Sequence, residues 1–364
     1  MRLSRVGIVG AGQLGRMLAL AGYPLGMHCL FLDRSAKAPA AQVAPILTAE
    51  LEDPTQLATL AGCSDVLTFD WENISAGALA PLEKLTKVRP PRAALEVSQD
   101  RLSEKALFEK LRIPVAAHAA VDSELELARA VKKLGAGVLK TRRLGYDGKG
   151  QFILREASQI GEAWAAIGGR DLIYEKFQDF SREVSIIGAR SATGRMVFYP
   201  LAANSHGGGI LHYNVAPFAN ARLERSARTY LKRLMNALDY VGVLTVEFFV
   251  VKGRLVANEM APRVHNSGHW TIEGCVTSQF ENHLRAICDL PLGSTRPLGH
   301  AAMINFLGEM PDRERLLAID GLAFHDYGKE PRPGRKLGHC TILKRRAAER
   351  NSALAAALES IQWT

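Results

Sequence analysis

The strongest constraint on the fold is a charged residue inside an apolar strand, followed closely by a polar cluster. Residues 241–250, VGVLTVEFFV, are rich in β-branched and aromatic side chains, which is typical of a buried strand. Glu247 lies in the middle of this segment, and a buried carboxylate needs a partner. Residues 258–270, NEMAPRVHNSGHW, follow shortly after and are too polar for a core segment. We therefore expect these two segments to form the functional centre of the chain.

The link VKGR between them predicts a β-hairpin that places Glu247 and Glu259 on neighbouring antiparallel strands. Two such side chains share a face of the sheet when the turn has an odd number of residues. We therefore expect a three-residue turn, residues 251–253, with Gly253 in the left-handed conformation. The two carboxylates, with Asn258 beside them, would form an oxygen-rich site of the kind that Mg²⁺ prefers when phosphates complete its shell. A solvent-facing strand with ordinary surface glutamates is the alternative.

A glycine fingerprint near the N-terminus predicts an α/β nucleotide-type domain. A strand, VGIVG, runs into G-x-G-x-x-G at residues 10–15, and Asp33 ends the strand CLFLD about twenty residues later, which fits an NAD site. The motif is physically a tight turn that brings backbone N–H groups to an anion, so any phosphorylated ligand would fit. Glu72 and Asn73 follow the strand DVLTFD, where such sheets place ligands, although Glu72 could instead cap the next helix.

A basic, glycine-rich loop follows the predicted strand AGVLK. Residues 140–150, KTRRLGYDGKG, hold four cations and three glycines and lead into a strand, QFILR. Glycines allow close backbone approach, and cations neutralise a polyphosphate. The segment lacks the G-x-x-x-x-G-K-[ST] pattern, so it is not a P-loop. We expect a polyphosphate site here, with a basic hairpin that binds no ligand as the alternative.

Several further residues are candidates for ligand contact. The predicted strand LIYEKF places Glu175 at its polar end, and the strand SREVSIIGAR buries Glu183. His206 stands beside three glycines, although a lone histidine is usually structural. Near the C-terminus, Lys329 and Arg335 belong to a basic segment interrupted by proline and glycine. Charge alone is equally consistent with an anion site and with a solvated turn there.

Composition restricts the class of protein and its partners. The chain has 364 residues, of which 47% are hydrophobic and 23% charged, which fits a soluble globular protein of two or three domains. The net charge of +9 is dispersed and aromatics make up 7%, so small anionic substrates are favoured over nucleic acid. The five cysteines show no C-x-x-C spacing, and no apolar run approaches the ~20 residues of a membrane span. We expect a cytoplasmic protein that binds neither nucleic acid nor membrane.

Together these motifs resemble the ATP-grasp superfamily. The strings GQLGRM, TFDWENI, DRLSEK, GYDGKGQ, EVSIIGAR, NEMAPRVHNSGHW, SQFENHLRAI and RPGRKLGH are similar to the 5-(carboxyamino)imidazole ribonucleotide synthase family, over nearly the whole chain. The resemblance implies an α/β (α+β) fold with a Rossmann-like N-terminal domain at residues 1–98. It also implies a central two-subdomain ATP-grasp domain at 99–293, a small β-rich C-terminal domain at 294–364, and a homodimer.

The resemblance further implies an activity and a set of site residues. The activity is ATP- and bicarbonate-dependent carboxylation of 5-aminoimidazole ribonucleotide through carboxyphosphate, with release of ADP and phosphate, in purine biosynthesis. Magnesium, or manganese in its place, would bind Glu247 and Glu259. Among the catalytic residues, Arg263, His265 and Asn266 would hold bicarbonate and carboxyphosphate, and Lys140 would offset charge as the γ-phosphoryl group moves. ATP would contact Arg101, Lys140, Gly145, Tyr146, Asp147, Gly148, Lys149, Gly150, Gln151, Glu175, Lys176, Phe177, Glu183, His206, Asn258 and Glu259. The ribonucleotide would contact Gln13, Leu14, Gly15, Glu72, Asn73, Tyr146, Lys149, Lys329 and Arg335.

Two positions depart from the family's pattern. Asp70 stands where glutamate is expected in T-F-E-W-E-N, and Lys149 stands where arginine is common. Both keep their charge, so fine geometry is affected more than activity. Three competing hypotheses remain: another ATP-grasp carboxylate–amine ligase, an NAD-binding oxidoreductase, and a non-catalytic anion-binding module. The oxidoreductase leaves the two glutamates and the basic loop unexplained, and the anion-binding module lacks a basic stripe with interleaved aromatics.

Overall fold

A computed structural model describes residues 4–145 and 150–363. Part of the predicted glycine-rich loop lies outside the described residues, and with it the predictions for Tyr146, Asp147, Gly148 and Lys149. Within the described ranges the strands form three sheets. None of the helices in this part of the chain combines the length and the apolar character needed to span a bilayer.

The first sheet is parallel and lies in the N-terminal part of the chain. Its strands are β1 (Arg5–Val9), β2 (His28–Asp33), β3 (Ile46–Thr48), β4 (Val66–Phe69) and β5 (Lys87–Val88). They lie in the order β3-β2-β1-β4-β5, so the strand order reverses between β1 and β4. This is the doubly wound arrangement that the glycine fingerprint predicts, and it brings the carboxyl ends of β1 and β4 to the same edge.

The second sheet is antiparallel and holds the two strands that flank the glycine-rich loop. Its strands are β6 (His118–Val121), β7 (Gly137–Thr141), β8 (Gln151–Leu154) and β9 (Leu172–Lys176). Their order is β6-β9-β7-β8. The predicted strands AGVLK, QFILR and LIYEKF are confirmed as strands, and the structure places β7 between β8 and β9.

The third sheet joins the middle of the chain to its C-terminal part. Its strands are β10 (Arg182–Arg190), β11 (Met196–Phe198), β12 (Ala202–Gly207), β13 (Ile210–Ala216), β14 (Gly242–Val251), β15 (Arg254–Ala261), β16 (His300–Gly308), β17 (Leu322–Asp326) and β18 (Arg332–Lys344). The order is β15-β14-β10-β12-β13-β16-β18-β17, and β11 pairs with β10. The pairing of β13 with β16 therefore continues one sheet across the predicted boundary at residue 293, and the domain division remains a prediction.

The helices cover these sheets with their apolar faces. They are α1 (Gln13–Gly22), α2 (Pro54–Gly62), α3 (Ala76–Leu79), α4 (Arg92–Ser98), α5 (Arg101–Lys110), α6 (Glu124–Leu134), α7 (Ile160–Ile167), α8 (Ala221–Ala237), α9 (Thr271–Gly274), α10 (Gln279–Ile287), α11 (Arg313–Leu317) and α12 (Ala347–Leu358). Polar caps fix where several of them begin: the Asp100 carboxylate accepts from the Leu102 N–H at α5, and the Asn220 side chain accepts from the Leu223 N–H at α8.

The first sheet packs on the third through α1 and α10. Leu14 and Leu18 of α1, Leu284 of α10 and Ile187 of β10 belong to one buried cluster. Full burial of such a side chain stabilises the fold by roughly 1.5–3 kcal/mol. This contact holds the glycine turn at the start of α1 in a fixed position relative to β10 and β14.

The turn between β14 and β15 differs from the prediction. Val251 pairs with Arg254, so the turn has two residues, Lys252 with φ 48° and Gly253 with φ 71°. Positive φ at both positions is the geometry whose twist matches that of the flanking strands. The predicted three-residue turn was wrong, whereas the left-handed conformation of Gly253 is confirmed.

A β-bulge supplies the register that the turn does not. With a regular ladder, a two-residue turn would place Glu247 and Glu259 on opposite faces. Asn258 is an extra residue on β15, and beyond it Glu247 pairs directly with Glu259. The predicted cross-strand pair is therefore confirmed, but a bulge produces it instead of an odd turn.

Candidate active site

Two backbone N–H groups of the glycine turn between β1 and α1 donate hydrogen bonds to carboxylates of the protein. The Ala11 N–H donates to Asp33 Oδ2 at 2.8 Å, and the Gly15 N–H donates to Asp70 Oδ2 at 3.0 Å. Asp33, which a dinucleotide fold would leave for a ribose hydroxyl, is thus used inside the turn. Burial raises the pKa of Asp70 to about 6. These contacts weigh against an NAD site.

Residues from the two ends of the sequence meet at this turn. The Lys329 ammonium, in the loop between β17 and β18, donates to Gln13 Oε1 at the start of α1. Burial and the nearby cation Arg335 lower the pKa of Lys329 to about 8. Arg335 itself donates to the Glu330 carbonyl at 3.0 Å. The fold therefore brings Gln13 and Lys329, two predicted ribonucleotide residues, into direct contact.

Glu72 forms an ion pair with Arg263 across the boundary between the first and third sheets. Arg263 Nη2 lies 2.7 Å from Glu72 Oε1. The next helix, α3, is capped by Ser75, which accepts from the Gly77 N–H. The alternative that Glu72 is a helix cap is therefore wrong. Asn73 is partly buried beside Glu72, and Leu14 is buried in α1.

A buried cluster of lysines surrounds Glu175. The Lys140 ammonium lies 3.2 Å from Glu175 Oε2 and the Lys105 ammonium 3.5 Å from the same oxygen. Burial alone would raise the pKa of Glu175, but Lys105, Lys140 and Arg101 outweigh it and lower the pKa to about 2. The sequence predicts Glu175 at the polar end of a strand, whereas the structure buries it among cations that compensate its charge.

Lys105 was missing from the predicted site, although it lies in the string DRLSEK. It also donates to the Asn258 carbonyl at 2.6 Å, so it links α5 to the bulge in β15. Arg101, one helical turn earlier, donates to Glu259 Oε2 at 3.1 Å. Burial would raise the pKa of Glu259, but Arg101 and Lys140 outweigh it and lower the pKa.

Glu247 also belongs to a group of three possible metal ligands, together with Glu183 and His206. His206 Nδ1 lies 2.8 Å from Glu183 Oε2, and one donor atom from each of Glu183, His206 and Glu247 lies within 4.8 Å of the others. Burial raises the pKa of Glu247 to about 7, against the opposing effect of His206. Burial would lower the pKa of His206, but the carboxylates around it raise it. This donor set could hold a divalent cation.

The remaining predicted ATP residues lie around β7, β8 and β9. Arg101 also reaches the Gly145 carbonyl at 3.5 Å, and Gln151 pairs with Lys140 across the β7–β8 ladder. Gly150 follows the loop with φ 69°. Lys176 is exposed at the end of β9, and Arg155 lies 4.0 Å over the ring of Phe177.

His265 is clamped at its backbone by a buried side chain. Gln279 Oε1 accepts from the His265 N–H at 3.0 Å, and Gln279 Nε2 donates to the His265 carbonyl at 2.6 Å. The Ser267 N–H donates to His265 Nδ1 at 3.3 Å and the Ser267 hydroxyl lies 2.9 Å from the same nitrogen, and Nδ1 accepts from both when the ring proton is on Nε2. Burial and Arg263 lower the pKa of His265 well below its ordinary value. His265 is therefore a neutral imidazole, and its Nδ1 lies 3.9 Å from Glu247 Oε1.

Asn266 faces a residue that the sequence did not single out. Its carboxamide exchanges two hydrogen bonds with Asn305 of β16, at 2.8 and 2.9 Å. A polar residue inside the apolar string AAMINFLG was the available signal for Asn305, as was the glutamine in SQFENH for Gln279.

Family models match three successive parts of the chain. Residues 3–99 match the ribonucleotide synthetase preATP-grasp domain and residues 106–280 the ATP-grasp domain. Residues 301–353 match the phosphoribosylaminoimidazole carboxylase C-terminal domain. With the two sheets that face each other across the lysine–carboxylate cluster, these matches define an ATP-grasp ligase.

Known relatives narrow the class to one family. The N5-carboxyaminoimidazole ribonucleotide synthase of Pseudomonas aeruginosa is 46% identical over 339 residues, covering 93% of this chain and 94% of its own. That of Brucella melitensis is 47% identical over 353 residues, covering 94% and 97%. The crystal structure of the Thermus thermophilus synthetase matches with a TM-score of 0.94 and 47% identity over 99% of each chain. The chain belongs to the N5-carboxyaminoimidazole ribonucleotide synthase family, as its motifs predicted.

One relative has been crystallised with its ligands. The Aspergillus clavatus N5-carboxyaminoimidazole synthase, in complex with ADP and 5-aminoimidazole ribonucleotide, matches with a TM-score of 0.92 and 30% identity over 98% of each chain. Membership of this family shows that the oxidoreductase and the non-catalytic module were wrong alternatives.

Proposed function

We propose that this chain carboxylates 5-aminoimidazole ribonucleotide to its N5-carboxy derivative in purine biosynthesis, using ATP and bicarbonate and releasing ADP and phosphate. The observation that carries the proposal is the pairing of Glu247 with Glu259 beside the cations Arg101, Lys105 and Lys140. Such a site can accept a polyphosphate and a divalent cation together, because cations neutralise the phosphates while carboxylates hold the metal.

Magnesium fits the residues that the site offers. Glu247 and Glu259 provide carboxylate oxygens on adjacent strands, which hard cations prefer. Burial raises the pKa of Glu247 to about 7, so a bound cation would compensate the charge of its ionised form. When bound, magnesium would neutralise charge on the transferred phosphoryl group. Manganese suits the same oxygens.

Arg263 and His265 are suited to hold the anion formed from bicarbonate. Bicarbonate is a poor electrophile, and its phosphorylation gives carboxyphosphate, which can release carbon dioxide next to the amine. The Arg263 guanidinium supplies positive charge, and the neutral His265 ring offers an Nε2–H donor. The structure therefore favours His265 as a hydrogen-bond donor over a proton shuttle, and catalysis here rests on positioning and electrostatics.

The ribonucleotide is expected at the edge where the first sheet meets the loop after β17. Gln13 and Lys329 meet there, and Glu72 is held by Arg263 within the same region. Lys329 supplies a cation for a phosphate, while Glu72 can accept from ribose hydroxyls. A cytoplasmic location and a homodimer complete the proposal, and the dimer can be tested by analytical ultracentrifugation.

The first experiment measures ADP release and carboxylated product with ATP and magnesium, with and without bicarbonate and 5-aminoimidazole ribonucleotide. We expect full activity only with all four components. Glu259→Gln should lower turnover by roughly 10²-fold or more, because a group that stabilises the transition state electrostatically is lost. Glu224→Gln, which removes a carboxylate paired with Arg228 on the surface of α8, is the matched control and should keep wild-type turnover. Equal stimulation by unrelated amines would contradict the substrate assignment.

A further inference from the structure

The loop that carries His265 and Asn266 is held by buried carboxamides on both sides. Gln279 binds the backbone of His265, and Asn214 Nδ2 donates to the Ser267 carbonyl at 2.7 Å. Gln279 and Asn214 are fully buried. A buried polar group is costly to leave without a partner, so these contacts fix the path of the loop backbone.

Asn305 holds the side chain of Asn266 in the same way. Asn305 Nδ2 donates to Asn266 Oδ1 at 2.8 Å, and Asn305 Oδ1 accepts from Asn266 Nδ2 at 2.9 Å. The second N–H of Asn305 donates to the Leu211 carbonyl at 2.8 Å. A carbonyl oxygen only accepts, so Leu211 determines which end of the Asn305 carboxamide is nitrogen. Asn305 in turn determines the orientation of Asn266.

His269 takes the other N–H of Asn266. Asn266 Nδ2 lies 3.0 Å from His269 Nδ1. Burial and His325 lower the pKa of His269 well below its ordinary value, so the ring is neutral and this nitrogen can accept. The Tyr327 hydroxyl lies 3.3 Å from the same nitrogen and 2.7 Å from His339 Nδ1. The rings of His269 and His339 pack against each other with their centroids 4.7 Å apart. His269, Tyr327 and His339 are all buried.

Both N–H bonds of the Asn266 carboxamide are therefore engaged, one with Asn305 and one with His269. What remains is acceptor capacity on Oδ1. A carboxamide in this state has no N–H left for an anion such as bicarbonate, so it is matched to a substrate group that donates. The amine of the ribonucleotide is such a group, and it is the nucleophile of the proposed reaction.

We propose that Asn305 is a positioning residue that holds Asn266 with its oxygen available to the site, so that Asn266 accepts a hydrogen bond from the reacting amine. The inference rests on the proposed function and changes the role expected of Asn266, which was to hold bicarbonate. A hydrogen bond from one amine N–H to Asn266 fixes the direction of the nitrogen lone pair. Orientation of this kind lowers the barrier without any proton transfer to Asn266.

The test is Asn305→Asp, which keeps the shape of the side chain and removes both of its N–H donors. Asn266 then loses the contact that fixes its orientation. We expect the KM for the ribonucleotide to rise about 10-fold, the order expected for one lost hydrogen bond. The yield of carboxylated product per ADP should also fall, because a misoriented amine lets carboxyphosphate decay unused. The KM for bicarbonate should change by no more than about 2-fold, because Asn266 is not expected to bind bicarbonate. A change of about 2-fold is smaller than the loss of one hydrogen bond would cause.

Asn282→Asp is the matched control. Asn282 is as deeply buried, and its carboxamide binds the Tyr199 hydroxyl and the Gly293 N–H, outside the loop. It should leave the product-to-ADP ratio unchanged. Asn305→Ser, which introduces no charge, covers the case in which the aspartate variant does not fold, and it should shift the same KM.

Three outcomes would overturn the inference. The first is a rise in the KM for bicarbonate with an unchanged KM for the ribonucleotide. The second is an equal loss of coupling in the Asn282 and Asn305 variants. The third is a folded Asn305→Ser variant with wild-type kinetics. Failure of the proposed function itself would be seen earlier, as wild-type enzyme that forms no ribonucleotide-dependent product.

Discussion

Lys105 and Glu175 form an interior ion pair, with the Lys105 ammonium 3.5 Å from Glu175 Oε2 and neither side chain more than 5% exposed. Lys140 reaches the same oxygen at 3.2 Å. The pair joins α5 to the second sheet, so it belongs to the scaffold of the site as well as to its electrostatics. One carboxylate here compensates two ammonium groups.

Replacing Glu175 by glutamine should therefore destabilise the protein strongly. Two buried ammonium groups would lose their counter-charge, and we expect the free energy of unfolding to fall by about 3–5 kcal/mol. Urea denaturation followed by circular dichroism measures this. Asp171→Asn is the control, because Asp171 is 70% exposed and lies 3.9 Å from Arg142; its effect should stay below about 1 kcal/mol. Similar losses in the two variants would contradict the prediction.

The same pair predicts a pH dependence at acid pH. The pKa of Glu175 is about 2 in the folded protein, below its ordinary value of 4.5. The stabilisation is thus present above pH 4.5 and is lost as the pH falls toward 2. The stability difference between wild type and Glu175→Gln should shrink over that interval. A difference that is constant between pH 5 and pH 3 would show that the carboxylate does not titrate as predicted.

Asp70 should show the opposite dependence. Burial raises its pKa to about 6 from 3.8, so the folded protein holds this proton more tightly than the unfolded chain. Its contribution is most favourable below pH 4 and declines as the pH rises through 6. Asp70→Asn keeps an acceptor for the Gly15 N–H without the charge. The variant should gain stability relative to wild type between pH 4 and pH 7, as urea midpoints at both pH values would show; a gap that does not change with pH would contradict this.

The turn between β14 and β15 tests backbone conformation alone. Gly253→Ala places a side chain at φ 71°, and the free energy of unfolding should fall by about 1 kcal/mol. Lys252→Asn is the matched change, because asparagine tolerates positive φ and Asn-Gly is favoured in this type of turn. It should leave stability unchanged or slightly higher by thermal unfolding. Equal destabilisation by both substitutions would argue against the two-residue turn.

Thiol labelling should distinguish one cysteine from the other four. Cys63 is exposed. Burial raises the pKa of the remaining thiols, to about 11 for Cys288 and about 12 for Cys29, Cys275 and Cys340. At pH 8 an aromatic disulfide reagent should react rapidly with one thiol per chain and with all five after denaturation, because the thiolate is the reactive form. Cys63→Ser should abolish the rapid phase; its survival would contradict the assignment.

Local patterns were sufficient to predict the strands and helices that carry the motifs. The apolar run around Glu247 and the glycines before α1 depend on neighbours within a few residues, and both predicted their elements from the sequence. The prediction of a three-residue turn was wrong because it assumed a regular ladder, in which only an odd-numbered turn places Glu247 and Glu259 on one face. A bulge at Asn258 changes the register by one residue. The residues around Asn258 contain no pattern that predicts a bulge.

Partners distant in sequence could not be predicted. Lys105 contacts Glu175, and Asn305 contacts Asn266, so each role exists only after sheets and helices have packed. A lysine on a helix and an asparagine in an apolar strand have many ordinary explanations. Only the burial of both, together with their polar contacts to site residues, distinguishes them as parts of the site.

The pairing of β13 with β16 has a consequence for any shortened form of the protein. Residues 213–216 of β13 form their ladder with residues 301–304 of β16. A chain that stopped at residue 293 would leave β13 as a bare sheet edge, and such edges recruit strands from other molecules. The C-terminal segment therefore covers the β13 edge and protects it from intermolecular strand pairing. Its removal should cause aggregation before it causes a loss of ligand affinity.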